Sequence, residues 1–529
     1  MKRAQTLFSQ MLMLAASSLA LRGMGLGLQV YLSARIGAAG VGLLQLIMSV
    51  YFLAVTLSAA GLRLAATRLV AEELATGRGA GVRRATGLCL VYGLMLSLAA
   101  AAALFFGGTW LGTHWLADAR AVPALRLAAL GLPFISMSSV LGGYFTAVRR
   151  ASRAALVQLA DEGVKIWLTL RLLPLALPMG LQHSCAAVVG AGVAGDFCCF
   201  CILFFCYRLD VKKRRGGAPS PVWELRKRLL SITLPLSLSA CATSGLRTLQ
   251  QMMIPAGLRK GGASSEGALT ALGAVQGMAM PLIFFPAVLL HAAAELILPE
   301  LAECRAQGND RRFDYIVNRM LRLVLLYAAA VSGLFLCFSG SLCQILYKSG
   351  QAAPILTLLA PLTPVIYLDA LVDSMLKGTG EQTRVMGYNI LESAIGIGLV
   401  ALLLPRLGIA GYFITIYVSR TLNFALGVHR LAGISKLELR FGLIFKTLAC
   451  SLAAPAAARL IMDTGFAGPV SAPRLAMSAG LALALFAALA LLTGCLGQED
   501  ARWLHSLWSI PRRKRRAAAL RPHYNRSVQ

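Results

Sequence analysis

The sequence predicts an all-α polytopic membrane protein, with about fourteen spanning helices forming two similar bundles side by side. Three observations predict it. The 529 residues are 57% hydrophobic with a mean hydropathy of +0.70, and apolar runs of about 20 residues, the length that crosses a bilayer as a helix, recur throughout. Part of the chain returns at an offset of about 231 residues: Pro133 falls on Pro364, Ile135 on Ile366, Arg153 on Arg384, Leu172-Leu173-Pro174 on Leu403-Leu404-Pro405 and Gly180 on Gly411. Gln158 matches Asn389 in kind, and Asp161 matches Glu392. A second echo, Phe52-x-Ala54-Val55 against Phe285-x-Ala287-Val288, sits at an offset of about 233. The third observation is that the basic residues crowd into alternate loops.

Hydropathy places the spans near 8–33, 41–61, 86–107, 124–147, 154–177, 181–207, 230–256, 268–292, 320–340, 353–376, 385–405, 409–428, 440–462 and 474–496. The first follows Met1-Lys2-Arg3 like the start of a secretion signal. About 25 weakly polar residues without a small-residue cleavage site predict a retained anchor instead. Only two polar stretches have useful length, the linker Arg208 to Trp223 between the repeats and the tail Gln498 to Gln529. In the tail, Trp503 and Trp508 precede a basic block, a pattern suited to a helix on the headgroup surface. Trp110 and Trp115 flank an outer loop and fit an aromatic belt.

The formal charge is +29, from 51 Lys and Arg against 22 Asp and Glu, which by itself would suit a nucleic-acid partner. Its distribution points elsewhere. With the N-terminus inside, roughly 36 of the basic residues fall in cytoplasmic loops and the tail and about 7 in the opposite loops. The densest blocks, Lys212 to Arg215, Arg226 to Arg228 and Arg512 to Arg516, all fall inside. Topology and contact with anionic membrane lipids explain the charge, and no nucleic acid is expected.

Enzyme chemistry has no visible machinery. The chain carries no Walker-type phosphate loop, no G-x-S-x-G and no H-E-x-x-H. Cys198, Cys199, Cys201 and Cys206 crowd into the sixth span without paired C-x-x-C spacing or a neighbouring His, so they read as small apolar residues, not metal ligands.

Ionisable residues inside the spans remain, and these are expensive in lipid. Arg22 lies near the middle of the first span. The fifth span carries Asp161, Glu162, Lys165 and Arg171, the sixth Asp196, the seventh Arg247, the tenth Asp369 and Asp373, the eleventh Asn389 and Glu392, and the twelfth Arg420. Asp161 with Lys165, and Asp369 with Asp373, have the i,i+4 spacing that puts each pair on one helix face. The first pair can neutralise itself; the second should raise a proton affinity or await a cation. Arg22, Lys165, Arg420 and Arg247 are the candidates for lining a wet substrate cavity, with a structural ion pair the alternative for the mid-depth cations. Asp161, Glu162, Asp369, Asp373 and Glu392, with the amides Gln158 and Asn389 three residues before two of them, are the candidates for a coupling proton or sodium ion. No other cofactor is expected.

The segment Leu32-Ser33-Ala34-Arg35-Ile36-Gly37-Ala38-Ala39-Gly40-Val41-Gly42-Leu43-Leu44-Gln45-Leu46, continuing to Leu69-Val70-Ala71-Glu72, resembles the opening of the stage V sporulation protein B group of polysaccharide exporters. So does Gly273-Ala274-Val275-Gln276-Gly277-Met278-Ala279-Met280-Pro281-Leu282. The group belongs to the multidrug, oligosaccharidyl-lipid and polysaccharide exporter superfamily, and the similarity runs from about residue 5 to 430. It implies two six-helix lobes related by an axis along the membrane normal, plus two extra C-terminal helices. The corresponding boundaries are residues 1–207 for the first lobe, 208–229 for a basic cytoplasmic linker, 230–430 for the second lobe, 431–496 for the extra helices and 497–529 for a basic tail. In the related flippases of lipid-linked peptidoglycan precursor, a first-helix arginine lines a cationic cavity, and Arg22 occupies the matching position. Where those flippases carry a second first-helix arginine, this chain has Leu28, and Asp369 and Asp373 are additional acids.

The resemblance and the buried charge together lead to the expectation of an alternating-access flippase in a bacterial cytoplasmic membrane, with both termini cytoplasmic. Its expected cargo is a lipid-linked oligosaccharide or peptidoglycan precursor on a polyprenyl pyrophosphate, serving spore cortex or cell-wall synthesis, with cell-wall synthesis enzymes as partners. The alternatives are a multidrug or cation antiporter of the same superfamily and a non-transporting scaffold for cell-wall assembly.

Overall fold

The computed structural model of the protein describes residues 2–212, 216, 220–438, 441–465 and 471–496, and the regular structure among them is helical throughout. The expected headgroup-bound tail helix and most of the Lys212 to Arg215 block lie outside the described residues.

Helix α1 (Lys2–Ala59) carries the first two predicted spans in one stretch. Two helices joined by a loop were expected; a single residue, Gly37 (φ 68°, ψ 178°), leaves helical geometry instead. A positive φ with an extended ψ is open essentially to glycine alone, so the chain changes direction there without exposing a loop. The helix that carries the second span ends at Ala59, close to the predicted 61, and after a break at Gly61 (φ 75°) the chain continues as α2 (Leu62–Ala75). There follow α3 (Gly79–Trp110), α4 (Val122–Ala147), α5 (Ala151–Ala176), α6 (Leu181–Val211) and α7 (Val222–Lys260). The eighth span is longer than predicted and is built from α8 (Ser265–Leu272), a π-helical turn (Gly273–Ala279) and α9 (Met280–Ala306). The remainder comprises α10 (Asp310–Tyr347), α11 (Ala353–Leu359), α12 (Thr363–Gly378), α13 (Gln382–Leu407), α14 (Ile409–Ala432), α15 (Phe441–Gly465) and α16 (Ala472–Leu492).

Among the described residues, eleven helical stretches are long and apolar enough to cross a membrane. One of them, Ser17–Ala75, has 59 residues, roughly 90 Å of helix, and so reaches across twice. α5 and α14 complete the set, their polarity raised by Asp161, Glu162, Lys165 and Arg171 in one and by Arg420 and Asn423 in the other.

The helices pack in two groups. α4 lies against α2, α3 and α6, with α5 beside α6; α13 lies against α7 and α14, and α12 against α9, α10 and α14. α5 and α13 both have 26 residues, and their ends are related by the offset of the sequence repeat, as are those of α4 and the run Ala353–Gly378. α15 and α16 pack on each other and on α10. That docking is close enough that a Cβ on Gly333 would lie 1.9 Å from the Ser451 carbonyl oxygen.

Between the groups, α7 runs antiparallel along the second half of α1. Thr248 Oγ1 donates to the Ser49 carbonyl at 3.1 Å and Ser237 Oγ to the Ala60 carbonyl at 2.8 Å, with Thr56 and Ser244 hydroxyls 3.3 Å apart between them. Hydroxyl and small side chains let membrane helices approach and bond in this way. At Gly61 the break after α1 faces Thr233 and Leu236 of α7, so it lies beside Pro235, where α7 lacks one helical N–H. The linker is shorter than the predicted 208–229, and Arg226 to Arg228 lie on the first turns of α7. It is stitched to the turn between α2 and α3. The Ser220 hydroxyl donates to Glu73 Oε1 at 2.5 Å, Arg78 Nη1 donates to Ser220 Oγ at 2.7 Å, and Ala80 N donates to the Gly216 carbonyl at 3.1 Å.

Candidate functional site

In the first group, the face of α5 that carries Asp161 and Lys165 turns toward α6. Lys165 Nζ lies 3.0 Å from Asp161 Oδ2 and 2.9 Å from Asp196 Oδ1, and Tyr51 of α1 donates its hydroxyl to Asp196 Oδ2 at 3.1 Å. Gly195 makes the space: a Cβ there would be 2.5 Å from Lys165 Cγ and 2.7 Å from Asp161 Oδ1. Lys165, a candidate for facing a cavity, is enclosed by two carboxylates, because a desolvated ammonium needs direct partners. The cluster holds two carboxylates for one ammonium, and Asp161 Oδ1 is buried without a hydrogen-bond partner.

The second group has a larger polar interior. Arg420 Nη1 lies 3.4 Å from Glu392 Oε1. Asn423 Nδ2 is 3.3 Å from both oxygens of Asp369, and Lys377 Nζ is 3.6 Å from Asp373 Oδ2. Asp369 and Asp373 share a face, as their spacing requires, yet each has its own partner on another residue. Asn389 does not turn to Glu392; its amide donates to the Val385 carbonyl at 3.0 Å and interacts, like Arg247, with Asp373 of the neighbouring helix. Gln158 on α5 is exposed. The amide and carboxylate on each helix are therefore neighbours in sequence that serve different partners.

Arg22, Arg171 and Arg247 are exposed and Glu162 is half-buried. Of these, Arg22 has no hydrogen bond or ion pair with any described residue, although about 22 Å of helix separates it from the break at Gly37.

Charge-centred reading of the sequence missed a set of neutral amides. Gln251 Nε2 of α7 donates to Gln276 Oε1 at 2.5 Å, and Gln276 Nε2 donates to the Tyr412 hydroxyl of α14 at 2.8 Å. Gln29 Nε2 of α1 donates to the Gly277 carbonyl at 2.8 Å. Glutamines in apolar runs were the available signal, since an amide in hydrocarbon needs a partner as a charge does.

Residues 7–304, more than half of the chain, match the family of polysaccharide biosynthesis proteins. The chain is 25% identical over 424 residues to stage V sporulation protein B of Bacillus subtilis (strain 168), spanning 79% of this chain and 82% of that protein. It is 21% identical over 342 residues to sporulation protein YkvU of the same organism, spanning 62% and 73%. Among solved structures, the lipid II flippase MurJ in an inward closed conformation superposes with a TM-score of 0.70 at 13% identity, over 91% of this chain and 98% of that one. An inward-facing multidrug resistance MATE family transporter of the MOP superfamily superposes with a TM-score of 0.61 at 17% identity, over 80% and 96%. The structural likenesses carry the multi-pass helical fold, the sequence match carries the family, and on that ground the chain belongs to the polysaccharide biosynthesis protein family.

Proposed function

We propose that the protein is an alternating-access flippase that moves a polyprenyl-pyrophosphate-linked oligosaccharide or peptidoglycan precursor across the cytoplasmic membrane. The observation that carries this reading is Arg22, an exposed arginine in mid-span without a hydrogen-bond or ion-pair partner among the described residues. A guanidinium at that depth costs several kcal/mol unless water or an anion meets it. A pyrophosphate headgroup is such an anion: it cannot cross hydrocarbon, whereas its polyprenyl tail need never leave it. Transport then requires a wet, cationic path between two lobes that open alternately, and no bond is made or broken.

In this reading α1–α6 form the first lobe and α7–α14 the second, with the basic turns and both termini in the cytoplasm. Arg22, with Arg247 at the edge of the second lobe, meets the pyrophosphate; Lys165 and Arg420 hold carboxylates within their own lobes. The excess carboxylate beside Lys165 and the Asp369, Asp373 and Glu392 cluster are the places where a coupling proton or sodium ion would be taken up. The sporulation proteins among the relatives suggest spore cortex or cell-wall synthesis as the setting, with glycan-building enzymes as consumers of the exported headgroup. A cationic drug as cargo is disfavoured by the same Arg22, which has no partner among the described residues.

The test is reconstitution into vesicles with a labelled polyprenyl-pyrophosphate sugar. The expected result is protein-dependent transbilayer movement; headgroups that stay in one leaflet in the presence of inserted protein would overturn the proposal.

A further inference from the structure

The second half of α1 and the segment from α8 through the π turn touch backbone to backbone. A Cβ on Gly42 would lie 2.0 Å from the Leu269 carbonyl oxygen, one on Gly273 1.9 Å from the Ala38 carbonyl oxygen, and one on Gly277 2.1 Å from Val41 Cγ1. Around the glycines the contact is dry and apolar: Val41, Leu272, Val275 and Met278 are all buried.

Among the described residues one polar bond crosses it. Pro281 has no N–H to donate to the carbonyls of the preceding turn, that of Gly277 four residues earlier among them. Gln29, from the first half of α1, supplies a donor at 2.8 Å. Next to it Gln276 faces the opposite way, bonded to Gln251 and Tyr412 in the second group. An inserted residue in a π turn shifts the facing of successive side chains, which is how neighbours come to address opposite partners. The Tyr347 hydroxyl anchors the same turn by donating to the Met278 carbonyl at 2.8 Å. Thus the π turn is fixed to the second group by side chains of α7, α10 and α14, and to the first by bare glycine contact and one amide.

We infer that this contact is the outer closure of the transport path, latched by Gln29 on the Gly277 carbonyl and tied through Gln276 to the second lobe's polar interior. The inference rests on the alternating-access reading and its orientation, which put Gly37, Gly42 and Gly273 at the outer end. A glycine seam with a single hydrogen bond separates without stranding a charge, as a gate must. Gln29 also lies two turns beyond Arg22 on the same helix face, so an anion drawn to Arg22 pulls on the element that carries the latch.

Hydrogen exchange read by mass spectrometry on the full chain in lipid nanodiscs tests the latch directly. Gln29→Leu, which keeps the side chain's bulk, should speed exchange about five- to tenfold in peptides covering residues 38–47 and 269–282, with α15 and α16 unchanged. Pro281→Ala supplies the missing N–H, so in that background Gln29→Leu should add little. A merely structural Gln29 would give the same increment in both backgrounds. Gly42→Ala and Gly273→Ala, whose Cβ atoms meet backbone that cannot yield, should speed exchange in the same peptides. Wild-type exchange in Gln29→Leu, or equal increments with and without Pro281, would overturn the latch. The readout needs no substrate: lipid movement with unchanged exchange strikes the latch alone, and the expected exchange without lipid movement strikes the flippase reading alone.

Discussion

Arg22 and Lys165 are both basic residues within apolar helices, and their surroundings assign them opposite tasks. Arg22 has no described partner, so Arg22→Ala should reduce lipid movement roughly 10- to 100-fold, the range a charge-assisted contact contributes, while the protein still inserts and folds. Arg22→Lys should retain part of the activity if a point charge suffices and little if a forked grip on phosphate is needed; initial rates in vesicles decide. Lys165→Met removes the counter-charge of Asp161 and Asp196 and should cost about 3–5 kcal/mol of stability, since the buried Asp196 and the partly buried Asp161 lose the ammonium between them. Adding Asp161→Asn and Asp196→Asn should recover much of that loss in thermal unfolding. Depth and charge of these residues were legible in the sequence, as was the Asp161–Lys165 pair, because a helix face follows from i,i+4 spacing. The Asp196 partnership was not, because α5 and α6 set its register through tertiary packing at Gly195. Asn389 shows the same limit: an amide beside a carboxylate along one helix bonds across to another.

Helices were located well from hydropathy and their interruptions poorly. A membrane span announces itself by apolar length, whereas a break at Gly37, Gly61 or the π turn involves one backbone residue with no change in composition. Where two helices approach at a glycine, the element itself can be tested. Gly195→Ala should push α5 from α6, and lower the thermal midpoint of the protein together with the Lys165 cluster it supports, as overpacking in a tight site does. The turn between α12 and α13 is held to α14 by Glu381, whose carboxyl accepts from Arg430 Nη2 at 2.5 Å and pairs with Arg384 at 3.0 Å. The Arg430 hydrogen bond holds that carboxyl below its ordinary value of 4.5. A lowered carboxylate contributes its stabilisation above the unfolded pKa and loses it as pH falls through the folded one. Hydrogen exchange across residues 379–384 should therefore show constant protection down to about pH 4.5 and a decline only below it, and Glu381→Gln should show no such decline.

Across the whole molecule, the repeat offset and the total of spans were readable, since each is a property of the linear chain. The way the two groups meet was not, because glycine seams and hydroxyl-to-carbonyl bonds between distant helices leave no periodic trace. Labelling of single introduced cysteines near Lys212 and at Asn309 should report the same, cytoplasmic, side, with His183 and Gln351 on the other; any exchange of sides between these pairs would undo the parallel arrangement of the lobes. Helix α7 also has a mechanical consequence. Its amino-terminal turns are fastened to the first group, by Arg228 to Glu72 at 3.0 Å and by Leu225 and Leu229 among Leu62, Leu69 and Cys89, while its far half packs on α13. The break at Gly61 and the proline inside α7, Pro235, lie abreast between these attachments. In the alternating-access reading, a rod clamped at both ends and weakened by a proline at the level where its neighbour is broken would work as a crankshaft, converting rotation of one lobe into a set rotation of the other. The two lobes would then turn through linked angles, and stiffening α7 by Pro235→Ala, which restores the helical N–H the proline lacks, would slow every stroke in both directions while leaving the end positions where they are.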